Sequence, residues 1–183
     1  MSLDYVIRHA APTLAGIKTA NLFSCAVSSR EDFLDDLRQV NRVIVPRGLR
    51  LLPLRLEPDR ALLYLFRPRA LSADLAQTQA RTLLRQAGYE PSDQLSCLRE
   101  LKRRLGTSGD FPHEIGLFLG YPPEDVQGFM DHQGRNCKCV GCWKVYGDEI
   151  TARRQFAAYQ ACTDSYCRRF ARGEPMEGLT IPS

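Results

Sequence analysis

The chain has 183 residues, which is the length of one domain or of two very small ones. Hydrophobic residues make up 44% and charged residues 25% of the chain, close to the globular average, which excludes a disordered, collagen-like or coiled-coil protein. The formal net charge of +4 is modest beside that of dedicated nucleic-acid-binding domains, so we do not expect a nucleic-acid partner.

Three features of the sequence bear on its compartment. Every apolar run is shorter than the roughly 20 residues that cross a bilayer, so we expect no membrane-spanning helix and no membrane partner. The first residues lack the basic and apolar regions of a signal peptide, so we expect none. The seven cysteines, an odd number, fit reduced thiols better than a disulfide framework. Together these features predict a cytoplasmic protein.

The N-terminal segment has the patterns of a helix, a strand and a second helix. Apolar residues spaced i, i+3, i+4 and i+7 predict a helix over residues 3–10, which Pro12 is expected to end. The short apolar run 20–27 predicts a buried strand. Ser28, with a glutamate three residues later, forms a capping-box pattern and predicts a helix that runs to Ile44.

A β-hairpin is the clearest signal in the middle of the chain. Two apolar runs, 49–56 and 61–67, are joined by a turn segment that contains Pro58. Pro53 cannot donate a hydrogen bond to a neighbouring strand. We therefore expect the first of these strands to lie at a sheet edge or to carry a bulge.

Helices are predicted for most of the next segment. The first two cover residues 72–87 and 92–105, and the glycine-rich residues 106–110 are the expected flexible seam between the halves of the chain. Two short helices over 112–119 and 123–132 follow the seam.

A strand over 140–146 and a long helix over 150–172 close the chain. Helices at both ends and an antiparallel hairpin between them predict an α+β fold in a single domain over residues 1–183. In this fold a small, largely antiparallel sheet is covered by helices.

The closing helix is amphipathic, with apolar residues on one side and arginines on the other. The basic side holds five residues: Arg153, Arg154, Arg168, Arg169 and Arg172. Such a face is more often a solvated surface than a binding site for a phosphate, a nucleic acid or an acidic protein partner.

A cluster of cysteines is the first candidate for chemistry. Cys137, Cys139 and Cys142 are close enough in sequence to ligate zinc or iron, but metal sites usually have four ligands. Cys139 and Cys142 fall in or beside the strand predicted at 140–146, where residues three apart point to opposite faces. We therefore expect packed or incidental thiols here, and the three cysteines are weak candidates for metal binding.

The second candidate is the pair His113 and Glu114, which could act as acid and base or bind a metal. Pro112 favours the first turn of a helix, and a carboxylate just after it is stabilised by the helix dipole. Glu114 is thus explained by helix capping, and His113 is not. His113 is either part of a site or a polar residue of the core.

Four stretches of the sequence resemble a family of uncharacterised bacterial and archaeal proteins, described only as a domain of unknown function. They are Pro112-His113-Glu114, Leu119-Gly120-Tyr121-Pro122, residues 11–23 and residues 143–148. The resemblance spans nearly the whole chain, and it implies one domain, occurrence mostly in anaerobes and no established activity. The family usually has an aromatic residue where this chain has Cys142, which implies that the cysteine triplet is peculiar to this member.

Within or close to the matching segments lie polar residues that packing alone does not explain. They are His9, Lys18, Asn21, His113, Glu114, Lys144 and Tyr146. One interpretation is a buried polar network. The other is a shared pocket, in which Lys18 and Lys144 bind a small anionic ligand while His113 and Glu114 handle protons or a metal.

The sequence thus leaves three hypotheses about function. The first is a cytoplasmic ligand-binding or accessory protein, with a link to anaerobic redox or iron metabolism, whose cofactor is unknown. The second is an enzyme that uses His113 and Glu114, and the third is an interaction module that uses the arginine face of the last helix.

Overall fold

The structure is a computed structural model that describes residues 2–106 and 111–182. It confirms the α+β class, with an antiparallel sheet and a long C-terminal helix. The chain forms two compact units: the first comprises residues up to 69 and from 159 onwards, and the second comprises Ala70–Ala158. The prediction of one domain over residues 1–183 stays a prediction.

The N-terminal part of the first unit consists of a three-stranded sheet and two helices, which follow each other in the order expected. They are α1 (Leu3–Leu14), β1 (Ala20–Ala26), α2 (Arg30–Ile44), β2 (Arg50–Leu56) and β3 (Arg60–Phe66). Pro12 does not end α1, contrary to expectation. It is buried within the last turn of the helix, where a proline removes a single hydrogen bond. The residue that caps α2 is Ser29 and not Ser28, because its side chain accepts a hydrogen bond from Asp32 N.

The sheet has the order β1-β3-β2, and both of its pairings are antiparallel. Phe23 pairs with Leu63, and Arg50 pairs with Phe66. β2 lies at the edge, and its register shifts between Pro53 and Arg55. The strand that contains Pro53 therefore both lies at the sheet edge and carries an irregularity, and the two expected alternatives are confirmed together.

A buried arginine, which the sequence did not single out, joins three segments of the first unit. Arg67 Nε donates to Thr13 O at 2.7 Å, and Arg67 Nη2 donates to Leu14 O at 2.9 Å and to Ile181 O at 2.7 Å. These bonds satisfy carbonyls at the end of α1, where a helix leaves its last acceptors without partners. The end of α1, β3 and the C-terminal segment are thus held by one side chain.

The second unit is mostly helical. Its elements are α3 (Pro68–Ala76, which begins in the first unit), α4 (Thr78–Gln86), α5 (Gln94–Gly106), α6 (Ile115–Phe118), α7 (Pro123–Asp131), β4 (Cys139–Val140), β5 (Lys144–Val145) and the start of α8 (Glu149–Ala171). From Tyr159 on, α8 belongs to the first unit, where it packs on α1.

Two predictions for this unit need correction. The helix predicted at 72–87 is two helices, α3 and α4, which are interrupted at Gln77. The strand predicted at 140–146 is instead the antiparallel hairpin β4–β5, because residues 141–143 form its turn. The flexible seam predicted at 106–110 stays a prediction, because residues 107–110 lie outside the described residues.

No helix in the described part of the chain is long and apolar enough to cross a membrane. This agrees with the absence of long apolar runs from the sequence.

Candidate functional site

The second unit contains a largely apolar pocket of about 360 Å³. It lies among the segment before α6, the helices α6 and α7, and the hairpin β4–β5. Its lining residues are Phe111, His113, Ile115, Gly116, Tyr121, Asp125, Val126, Phe129, Val140, Gly141, Trp143 and Lys144. The Pro-His-Glu and Leu-Gly-Tyr-Pro motifs thus both contribute a side chain to it.

Two glycines explain why α6 and α7 come close together at the pocket. A Cβ at Gly116 would lie 2.7 Å from Val126 Cγ2, closer than real Cβ atoms approach. Gly120 follows α6 with a φ of +72°, a left-handed conformation that glycine adopts without steric cost. The glycine of the Leu-Gly-Tyr-Pro motif therefore forms the sharp turn that places Tyr121 at the pocket.

Asp125 on α7 fixes the hairpin against that helix. One carboxylate oxygen, Oδ1, accepts hydrogen bonds from Tyr146 N and Gly147 N, each at 2.7 Å. The other, Oδ2, accepts one from Trp143 Nε1, also at 2.7 Å. Asp125 is buried, so these three donors replace the water that its charge would otherwise require.

Aromatic rings form much of the pocket wall. Tyr121 stacks on Trp143 with ring centroids 4.8 Å apart, and Phe156 meets Trp143 edge-on at 4.5 Å. Gly141 in the hairpin turn makes room for this arrangement, because a Cβ there would lie 2.2 Å from Phe156 Cδ2. The hairpin turn can therefore contain only glycine at that position without moving the rings.

Two of the residues singled out in the sequence, His113 and Lys144, line this same pocket. Lys144 is half-buried, and its Nζ donates to Gly134 O at 2.7 Å and lies 5.6 Å from the centre of the Phe129 ring. His113 meets the same ring edge-on at 5.0 Å. It is exposed, so the interpretation of His113 as a core polar residue is wrong.

Glu114 is directed to other partners, although it is adjacent to His113 in the sequence. It is buried, and its Oε1 accepts hydrogen bonds from Tyr89 Oη at 2.9 Å and from Arg104 Nη1 at 3.1 Å. Burial, with a further contribution from the Glu114 carboxylate, raises the pKa of Tyr89 well above its ordinary value. Glu114 is not among the residues that line the pocket.

Arg104 also contacts a second carboxylate, on its own helix α5. Its Nε donates to Glu100 Oε1 at 2.7 Å, and Arg103 donates to both oxygens of the same group. Hydrogen bonds from Arg103 and Arg104 lower the pKa of Glu100 to about 2. These groups form a charged cluster that anchors the Pro-His-Glu motif to α5.

The other predicted ligand-binding residues lie outside the pocket lining. Tyr146 Oη donates to Arg135 O at 2.9 Å. In the first unit, Thr13 Oγ1 donates to Asn21 Oδ1 at 2.7 Å, His9 stacks on an aromatic ring, and Lys18 Nζ lies 5.8 Å from the centre of the Tyr159 ring. These four residues stay untested as ligand contacts.

The cysteine triplet lies in and beside the hairpin β4–β5. The sequence argument against a metal site placed Cys139 and Cys142 on opposite faces of one strand, and that placement is wrong. Cys139 is in β4, whereas Cys142 is in the turn and not in the same strand. In the described part of the chain, no group of three His, Cys, Asp or Glu side chains is arranged to hold a metal ion. All seven cysteines belong to that part and are free thiols.

Ion pairs occupy part of the arginine face of α8. Arg153 pairs with Glu149 at 2.7 Å, and Arg169 pairs with Glu174. The remaining three arginines of the face are exposed. These contacts are those of a solvated surface, and the acidic protein partner stays a prediction.

Sequence reasoning missed most of the residues that form the pocket. In the sequence, Asp125 is typical of an acidic residue in the first turn of a helix, and Phe129 and Trp143 are typical of core residues. Tyr121 and Trp143 carried a signal that could have identified them, because both lie in stretches that match the family, 119–122 and 143–148.

Comparison with known families finds a match over most of the chain. A family model described as a protein of unknown function, DUF3793, matches residues 6–180 of the chain. The resemblance carried by the four sequence stretches is therefore confirmed. No curated protein and no solved structure matches the chain.

Proposed function

Because the chain belongs to the DUF3793 family, whose function is unknown, we propose a function from its pocket: it binds a small organic molecule with an apolar body. The observation that carries this proposal is the pocket of about 360 Å³ with aromatic walls and a few polar side chains. Small-molecule sites in proteins typically measure roughly 300–1,000 Å³ and combine apolar walls with a few polar groups.

Exposed apolar side chains among the lining residues support the same proposal. Val140 is 68% exposed and Phe111 is 47% exposed, yet both line the pocket. Large apolar side chains grouped around a concavity mark binding sites more often than isolated ones do. A ligand in the pocket would cover part of both.

The contacts favour binding over catalysis by His113 and Glu114. The Glu114 carboxylate is engaged by Tyr89 and Arg104, and it does not line the pocket that His113 lines. These contacts of Glu114 support a binding function more than an acid–base reaction by His113 and Glu114. A link to redox or iron metabolism stays a prediction.

The proposal can be tested with N-phenyl-1-naphthylamine, a neutral aromatic probe whose fluorescence rises in apolar surroundings. We expect saturable binding of one probe per chain, with energy transfer from Trp143, the one tryptophan of the sequence. Phe111→Ala should weaken binding about fivefold, because it removes about 1 kcal/mol of apolar contact.

Leu95→Ala is the matched control for Phe111→Ala. Leu95 is 54% exposed in the same unit but does not line the pocket, so this variant should bind the probe as the wild type does. Absence of saturable binding, or equal weakening by both variants, would contradict the proposed function.

A further inference from the structure

We infer that the ligand of this pocket is a planar aromatic anion whose negatively charged group is bound by Lys144. This inference rests on the proposed function and adds the chemical class of the ligand. It depends on three observations: the charge balance of the pocket, the way Lys144 is held, and the shape of the walls.

Two charged side chains line the pocket, Asp125 and Lys144, and of these Lys144 has hydrogen-bond donors left for a ligand. The Asp125 carboxylate already accepts hydrogen bonds on both oxygens, from Trp143 Nε1 and from two backbone N–H groups. No ion pair between described residues involves Lys144. An ammonium has three N–H donors, and the contact with Gly134 O uses one of them.

Lys144 is held in place before any ligand binds. Gly134 has a φ of +75°, and a Cβ there would lie 3.1 Å from Lys144 Nζ and 3.0 Å from Phe129 Cε2. Glycine thus lets the backbone carbonyl approach the ammonium closely. Because the side chain is already ordered, an anion that binds it avoids much of the entropic cost of fixing a lysine.

The low polarity of the surroundings strengthens an interaction with Lys144. Its Nζ lies 5.6 Å from the centre of the Phe129 ring, and the adjacent lining residues are mostly apolar. Electrostatic interactions and hydrogen bonds are stronger in such surroundings than in water. His113 supplies a second side chain that can donate a hydrogen bond at the same ring.

The walls favour a flat apolar body beside that anionic group. Tyr121 and Trp143 stack with an angle of 28° between their planes, and Phe129 contributes a third ring to the lining. Aromatic rings pack against one another in offset-stacked or edge-on arrangements. A planar ring system is therefore the body that these walls accommodate best.

Two probes of the same shape separate the charge from the apolar body. The first is 8-anilinonaphthalene-1-sulfonate, and the second is N-phenyl-1-naphthylamine, which lacks the sulfonate. We expect the wild type to bind the sulfonate at least about tenfold more tightly than the neutral probe, as a charge-assisted hydrogen bond in apolar surroundings requires.

Lys144→Met removes the charge and keeps the apolar stem. It should reduce the affinity for the sulfonate at least about tenfold and change the affinity for the neutral probe by less than about threefold. Lys138→Met is the matched control. Lys138 Nζ also donates to a backbone carbonyl, Gly147 O at 2.6 Å, but Lys138 does not line the pocket. This variant should bind both probes as the wild type does.

The outcomes distinguish this inference from the proposed function. If the neutral probe binds but the sulfonate binds no more tightly, the inference is wrong and the proposed function stands. If Lys144→Met weakens both probes equally while Lys138→Met binds both normally, Lys144 acts through packing and the inference is also wrong. If neither probe binds the wild type, the proposed function itself fails.

Discussion

The buried carboxylate of Glu114 shows how a single residue determines the position of a motif. A buried ionised carboxylate is stable only when charged or polar partners replace its lost hydration. Arg104 supplies the charge and Tyr89 supplies a neutral donor. The sequence indicated an acid at a helix start, and it could not indicate these partners, because they lie 10 and 25 positions away.

Arg104 and Arg103 provide a matched pair of substitutions on α5. Both pair with Glu100, but Arg104 also pairs with Glu114, and Arg103 is 64% exposed. We expect Arg104→Met to lower the free energy of unfolding by about 1–3 kcal/mol, because the Glu114 carboxylate then remains buried with one neutral partner.

Arg103→Met should cost less than about 1 kcal/mol, as is usual for an exposed ion pair. Urea unfolding of both variants at neutral pH measures the difference. Equal costs for the two substitutions would show that the bond between Arg104 and Glu114 does not stabilise the second unit.

At the scale of elements, periodicity predicted the helices and strands of the first unit well. It failed for residues 139–145, where β4 and β5 have two residues each and leave no room for an alternating pattern. It also failed at Gln77, since the apolar pattern continues across the break between α3 and α4. Pro53 was informative because its missing N–H restricts it wherever it occurs in a sheet.

The contact between α7 and the segment after β5 depends on a glycine in the middle of a helix. Gly128 has no Cβ, and one placed there would lie 2.4 Å from Tyr146 Cγ and 2.5 Å from Tyr146 Cβ. Neither atom is the far end of a flexible side chain, so a larger residue would push the helix from the hairpin. The two elements that meet here also carry lining residues of the pocket, Phe129 on α7 and Lys144 in β5.

Two glycine-to-alanine substitutions in helices should therefore differ in their effects on stability. Gly128→Ala should lower the free energy of unfolding by about 1–3 kcal/mol through overpacking. At Gly106, at the end of α5, a Cβ would meet none of the described residues within 4 Å, so Gly106→Ala should be neutral or stabilise by up to about 1 kcal/mol. Thermal unfolding of both variants tests this. A stable Gly128→Ala variant would contradict the close contact between α7 and Tyr146.

At the scale of the whole molecule, the fold class followed from the order of its elements, whereas the site depended on tertiary contacts. His113 and Lys144 were candidates because they are polar residues within the matching segments, and the structure places both at one pocket. Lys18 joined them in only one of the two interpretations of the polar residues, and the structure places it in the first unit, outside the pocket lining. Sequence spacing cannot show which polar residues converge, because convergence depends on how helices and hairpins pack.

The most direct test of the account follows the indole N–H signal of Trp143 in a nitrogen–proton correlation spectrum. The chain has one tryptophan, so this signal needs no assignment by mutation. We expect N-phenyl-1-naphthylamine to shift the signal until one equivalent is bound, and to show nuclear Overhauser contacts with the indole ring and with Phe129. Saturable binding that leaves the Trp143 signal unchanged, with contacts to residues outside the pocket, would contradict the account.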